Sequence, residues 1–216
     1  MPNYVQIRFT VEGSPEDLAA FSAGVATDER RFDFERLIPM PKSLRVESGS
    51  SSSTGYAAAS RDPQEVARYL SMPWVRQLGI TSADQFVEYV RTQLPDTYAL
   101  GLVCVQNVAE HGHPTWYEWS LEHWGVKWNA GSLEVTEHGD KLEYYFEAAN
   151  SFPEPVFEAL ASRFPTVKLN GTVDEEGGWF YGEITIEHGE LVVDFRKGTR
   201  KGGPYDYSDE DDDGED

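Results

Sequence analysis

Residues 132–164, SLEVTEHGDKLEYYFEAANSFPEPVFEALASRF, decide how this chain folds. Their first part alternates apolar and polar residues on either side of His138, Gly139 and Asp140, the pattern of a β-hairpin with its turn at those three residues. The second part changes period. Val156, Phe157, Leu160 and Phe164 fall on one helical face, Ser151 and Glu154 have capping-box spacing, and Pro165 ends the run.

Working outward, residues 4–11 (YVQIRFTV) alternate Tyr4, Gln6, Arg8 and Thr10 with Val5, Ile7, Phe9 and Val11, which predicts a strand with one buried face. A helix should follow, with Ser14 as cap, Pro15 in the first position, Glu16 and Asp17 at its positive end, and Leu18, Phe21 and Val25 on its inner face. FDFERLIP (32–39) reads as a returning strand stopped by Pro39 and Pro41. The serine- and glycine-rich run 47–55 is expected to be a mobile loop. From Pro63 to about Glu110 the pattern is helical, with Ser82 as a cap, although ALGLVCV within it also fits a buried strand. After the helix that ends at Pro165, TVKLNGTVDEEGGWFYGEITIEHGELVVDF supplies up to three strands joined by glycine-rich turns.

The expected fold is therefore α+β: a ferredoxin-like β-α-β-β-α-β antiparallel sheet with a helical insertion after the second strand and extra C-terminal strands. The parts are residues 1–46 as the first half of the sheet domain, 47–115 as loop and insertion, 116–196 as the second half, and 197–216 as a basic linker and acidic disordered tail. A chain of 216 residues with 13% aromatic side chains is long enough to bury such a core.

Charge narrows the function. The chain carries 38 acidic and 18 basic residues, net −20, and its last twelve residues (YDYSDEDDDGED) hold eight acids and no base, which leaves 30 against 18 in the rest. Such a potential repels nucleic-acid phosphates and anionic lipids and attracts basic protein surfaces. The opening residues lack a signal-peptide pattern and no long apolar run occurs, so a cytoplasmic protein without a membrane partner is expected. Cys104 lies in an apolar run and reads as a buried, inert thiol.

Residues 116–128, WYEWSLEHWGVKW, concentrate Trp116, Trp119, Trp124 and Trp128. The expected role is a structural aromatic cluster, with 124–128 as a strand; base stacking is the competing reading, but its surroundings are acidic. Glu110, His111, His113 and His123 could approach a zinc ion, yet no third ligand stands at a recognised spacing, and turn histidines are the reading adopted, with no metal or cofactor expected. Asp209, Asp211, Asp213 and Gly214 match the first half of a calcium loop whose twelfth-position glutamate is missing. Neither a phosphate-binding glycine loop nor a nucleophile elbow occurs.

Several pieces together resemble the Api92-like family, also called the YubB family, of bacteriophages and plasmids: NYVQIRFTVEGSPEDLAAF, FDFERLIPMP, YEWSLEHWGVKWNA and LEYYFEAANSFPEPVFEALASRFP, spanning most of residues 3–187. The chain departs from the family at Val126, where threonine is favoured, and in its acidic tail. The resemblance implies a ferredoxin-like fold and a mobile-element setting, and it carries over no catalytic residue. The function expected is that of a non-enzymatic acidic protein that binds a host protein with a basic nucleic-acid-binding surface, as a mimic of nucleic acid in anti-restriction or anti-CRISPR defence. The presented acids are taken as Asp174, Glu175 and Glu176, at a hairpin tip, with Asp209, Glu210, Asp211, Asp212 and Asp213. The alternatives are a nucleic-acid-binding module using sheet aromatics and a metal-dependent enzyme around His111 and His113.

Overall fold

A computed structural model describes residues 3–206. The elements in chain order are β1 (Tyr4–Glu12), α1 (Pro15–Val25), α2 (Ser50–Ser60), α3 (Pro63–Leu70), α4 (Pro73–Gln77), α5 (Ala83–Gln93), α6 (Pro95–His111), α7 (Trp116–His123), β2 (Gly131–His138), β3 (Lys141–Ala149), α8 (Glu154–Arg163), β4 (Lys168–Glu175), β5 (Phe180–Glu187) and β6 (Glu190–Lys197). Two compact units result: Met40–Trp119, and the chain on either side of it.

In the sheet unit, six antiparallel strands lie in the order β2-β3-β1-β4-β5-β6. With α1 following β1 and α8 following β3, the first four strands have the ferredoxin-like arrangement, and β5 and β6 extend it on the β4 side. Val5, Ile7, Phe9 and Val11 of β1 are buried, as are Leu18, Phe21 and Val25 of α1 and Val156, Phe157 and Leu160 of α8. Aromatic rings join these layers: Phe9 stacks on Tyr144 at 4.9 Å and meets Phe157 edge-on at 5.5 Å, while Phe21 meets Tyr144 at 5.8 Å. Ser14 caps α1 as expected, its Oγ accepting the Asp17 N–H at 3.1 Å. The expected capping box on α8 is not used, because Pro153 occupies the N-cap and the Ser151 hydroxyl donates to the Phe152 carbonyl instead.

Residues 32–39 are not a strand. A short 3-10 turn, Phe34–Arg36, takes their place, with Phe32 and Phe34 both fully buried. Asn129 explains the difference: its Oδ1 accepts the Phe34 N–H at 3.1 Å and its Nδ2 donates to Asp33 at 2.6 Å, so this backbone is paired outside any ladder. Phe32 stacks on Phe146 at 5.4 Å and serves as core. The insertion consequently precedes the second strand of the ferredoxin-like order, which is β2, rather than following it.

The other unit is helical. Its serine run is a helix, α2, and not a mobile loop. Small side chains make that possible, because Gly55 lies against Gly101 of α6 so closely that a Cβ on Gly55 would stand 2.1 Å from the Thr97 carbonyl oxygen. Ser52 and Thr54 are buried in the same helix, and the Ser52 hydroxyl accepts the Gly49 N–H at 2.9 Å and so closes its first turn. ALGLVCV lies inside α6 and is helical. Ala57, Ala58, Val66, Tyr69, Val75, Phe86 and Val90 form the core, and Ser82 caps α5. This unit begins before the serine run because Leu44 is fully buried and Asn107 of α6 donates to the Ser43 carbonyl at 3.0 Å.

Candidate open-face site

Alternation along the strands turns one side of the sheet toward α1 and α8, and the other side is polar. The registers align its residues in rows across the six strands. One row is Glu134, Tyr145, Arg8, Thr172, Glu183 and Asp194; the next is Thr136, Glu143, Thr10, Asn170, Thr185 and Val192. The sheet's twist makes a shallow trough of about 520 Å³ between these rows. Gly171 belongs to the helix-facing side, where a Cβ would meet the Phe9 Cβ at 2.7 Å, so glycine there leaves room for the Phe9 ring.

At the centre, the Arg8 guanidinium lies over the Tyr145 ring at 4.4 Å. The Tyr145 hydroxyl donates to Glu147 at 3.0 Å. Burial, followed by that carboxylate, pushes the Tyr145 hydroxyl up to about 12. Glu134, Glu143, Glu183 and Asp194 share this face with Arg8, and Glu143 is held below its ordinary range first by the hydrogen bond from Lys141 at 2.6 Å. Beyond β6 the chain turns back onto this face: Arg200 reaches Asp174 at 3.0 Å and Glu183 at 3.6 Å and donates to the Gly182 carbonyl.

Tyr144, on the opposite side, is pushed to about 12 chiefly by burial. Above the ordinary tyrosine value of about 10 the unfolded chain loses both protons while the native state keeps them. Stability contributed by Tyr144 and Tyr145 is therefore complete below pH 10 and falls as pH rises toward 12. Ultraviolet titration should show these two hydroxyls ionising late, together with a falling melting temperature; ordinary titration of all eleven tyrosines near pH 10 in the folded protein would contradict this packing.

Residues 123–212 match the family model for the ferredoxin-like domain in Api92-like protein. Over these residues the chain is similar to the ferredoxin-like domain of Api92-like proteins. The match covers β2 to β6 with α8, and reaches residue 212, so the tail is not wholly outside the family's pattern as expected. The solved structure of protein api92 from Yersinia pseudotuberculosis aligns with 94% of this chain and 100% of its own at 11% identity, with a TM-score of 0.47. No curated protein matches this sequence.

Within the sheet unit the acids expected at an exposed hairpin tip take different positions. Asp174 and Glu175 are 5% and 3% exposed. Asp174 is held by Arg200, Glu175 accepts from Asn3 Nδ2 at 2.7 Å and from the Trp179 N–H at 2.9 Å, and Glu176 accepts the Tyr4 N–H at 2.7 Å. These carboxylates tie the ends of β1, β4 and β5 together, because a buried carboxylate needs such donors. Asp209, Glu210, Asp211, Asp212 and Asp213 lie outside the described residues.

The tryptophans divide. Trp119 and Trp124 are buried, Trp116 is half-buried, and Trp128 is exposed beneath the Lys127 ammonium at 4.4 Å. Trp124 Nε1 donates to the Ile38 carbonyl at 2.9 Å, and its ring meets Phe34 edge-on at 5.9 Å. Residues 116–123 are helical and 124–129 form bends, so the expected strand at 124–128 is corrected. Gly125, at φ 75°, turns the chain there. In the helical unit, His111 Nε2 lies 3.2 Å from Ser43 Oγ, and burial raises the Cys104 thiol, which suits an inert side chain.

Sequence reasoning missed the open face itself. Its signal was available in the alternate residues of YVQIRFTV and KLEYYFEAA, whose polar members are Arg8, Thr10, Glu143, Tyr145 and Glu147. Their convergence required strand order and register.

Proposed function

We propose that this is a non-enzymatic acidic binding protein whose open sheet face engages a basic surface of a partner protein, the kind of surface that holds nucleic acid. In the phage or plasmid setting implied by the family resemblance, that partner is a host nucleic-acid enzyme in the cytoplasm, and occupation of its basic site is an anti-restriction or anti-CRISPR act. The observation that carries the reading is a set of carboxylates spread across one face: Glu134, Glu143, Glu147, Glu183 and Asp194 lie on the side not covered by α1 or α8. Carboxylates fixed on strands ~5 Å apart offer a rigid surface on which these five acids outnumber the cations Arg8, Lys141, Arg196 and Arg200, whereas a nucleic-acid site would need cations in excess.

The stacking alternative has weaker support. Phe9, Tyr144 and Phe146 point into the helix-covered core, and of the strand tyrosines on the open face Tyr145 already holds Arg8 and Tyr181 lies beneath Arg200, which leaves Tyr4 at one edge. The test sets immobilised DNA and RNA beside a basic nucleic-acid-binding protein recovered with this chain from host lysate. Passage through the nucleic-acid columns is expected, together with a purified two-component complex whose association slows at least about tenfold when Glu134, Glu143 and Glu183 become lysine. Retention on nucleic acid, or a complex indifferent to those reversals, overturns the proposal.

A further inference from the structure

We propose that β6 pairs with β6 of a second copy, joining two sheets across a two-fold axis at Val193. The sheet's two edges differ. At β2 the ladder is broken by a bulge between Gly131 and Glu134, and Arg31 donates to the Val135 carbonyl at 3.1 Å; irregularity and cover of this kind blunt an edge. At β6 the register with β5 is regular over all eight residues, with neither proline nor bulge, and among the described residues beyond it Arg200 turns onto the open face rather than along the edge.

Geometry says which groups this edge offers. Glu187 and Glu190 close a two-residue turn in which His188 and Gly189 have φ of 54° and 79°, and the Gly198 N–H donates to the Trp179 carbonyl. Bonded pairs alternate in an antiparallel ladder, so even-numbered β6 residues bond to β5 and the odd-numbered ones direct N–H and C=O outward.

A two-fold perpendicular to the sheet pairs residues of equal parity, because each face continues into its own counterpart. Three central registers compete. One centred on Asp194 opposes two aspartates, and one centred on Val192 sets Glu190 against Asp194. Centring on Val193 instead opposes Glu190 to Arg196 twice, and on the helix side it sets Leu191 against Phe195 and Val193 against itself. Like charges directly opposite destabilise a strand pair and opposite charges stabilise it, so the sequence of β6 selects the Val193 register. Apolar surface is available for it, since Phe195 is 40% exposed.

The test uses the full chain. Sedimentation over a concentration series is expected to show a monomer–dimer equilibrium. Glu190→Arg, which opposes two arginines at both symmetry-related positions, should weaken it roughly tenfold, and Glu190→Arg with Arg196→Glu should restore it. Bonded partners lie ~5.5 Å apart at Cα, within disulfide reach, so Val193→Cys should cross-link to itself under mild oxidation while buried Cys104 does not react. A monomer at all concentrations, a dimer insensitive to Glu190→Arg, or a dimer in which Val193→Cys does not cross-link overturns the proposal. Because the two chains are both acidic, salt should strengthen this association, whereas it should weaken binding to a basic partner; failure of one reading is thereby distinguishable from failure of the other.

Discussion

Trp124→Ala is expected to destabilise the sheet unit by ~3–5 kcal/mol, the usual range for emptying a buried aromatic site. The side chain is 5% exposed, its ring meets Phe34, and its indole N–H donates to the Ile38 carbonyl. Truncation would therefore leave a cavity beside a fully buried phenylalanine and also an acceptor without its donor. Urea unfolding followed by fluorescence of the other tryptophans measures the change. Unaltered stability with lost partner binding would make Trp124 an interface residue instead of a core one.

The second large effect is expected in the helical unit. Alanine in place of glycine in a helix interior ordinarily stabilises by up to ~1 kcal/mol. At Gly55 and Gly101 the sign should reverse. A Cβ on Gly101 would stand 2.0 Å from the Gly55 carbonyl oxygen, and one on Gly55 meets the Thr97 carbonyl and the Gly101 backbone, so nothing flexible is available to yield. Gly101→Ala should force α2 and α6 apart at a cost of roughly 3 kcal/mol or more, at the upper end of overpacking effects. Hydrogen exchange of amides within Met40–Trp119 would locate the loss. A Gly101→Ala protein as stable as the parent would show that these helices do not cross at backbone contact.

Both cases show what the sequence could disclose. Period alone exposed β1, the β2–β3 hairpin, α1 and α8, because each buries one face and its apolar residues repeat accordingly. It failed where small residues or local pairing govern. The serine run lacks an apolar stripe, and its helix depends on the close approach of Gly55 to Gly101, a contact between glycines distant in the sequence that no period announces. FDFERLIP has a strand's alternation, yet Asn129, nearly a hundred residues away, takes its backbone and side-chain groups. Among the candidate site residues, acid content was legible but acid placement was not: Asp174 and Glu175 look exposed beside two glycines, and in the fold they answer Arg200, Asn3 and the Trp179 amide.

Long-range attraction of a basic partner by the acidic open face, as proposed, should show itself in the association rate measured against ionic strength. Between 0.1 M and 1 M salt the Debye length falls from ~10 Å to ~3 Å, so the rate constant should fall steeply while dissociation changes little. An association rate that stays constant over that range would contradict electrostatic recognition by Glu134, Glu143, Glu183 and their neighbours.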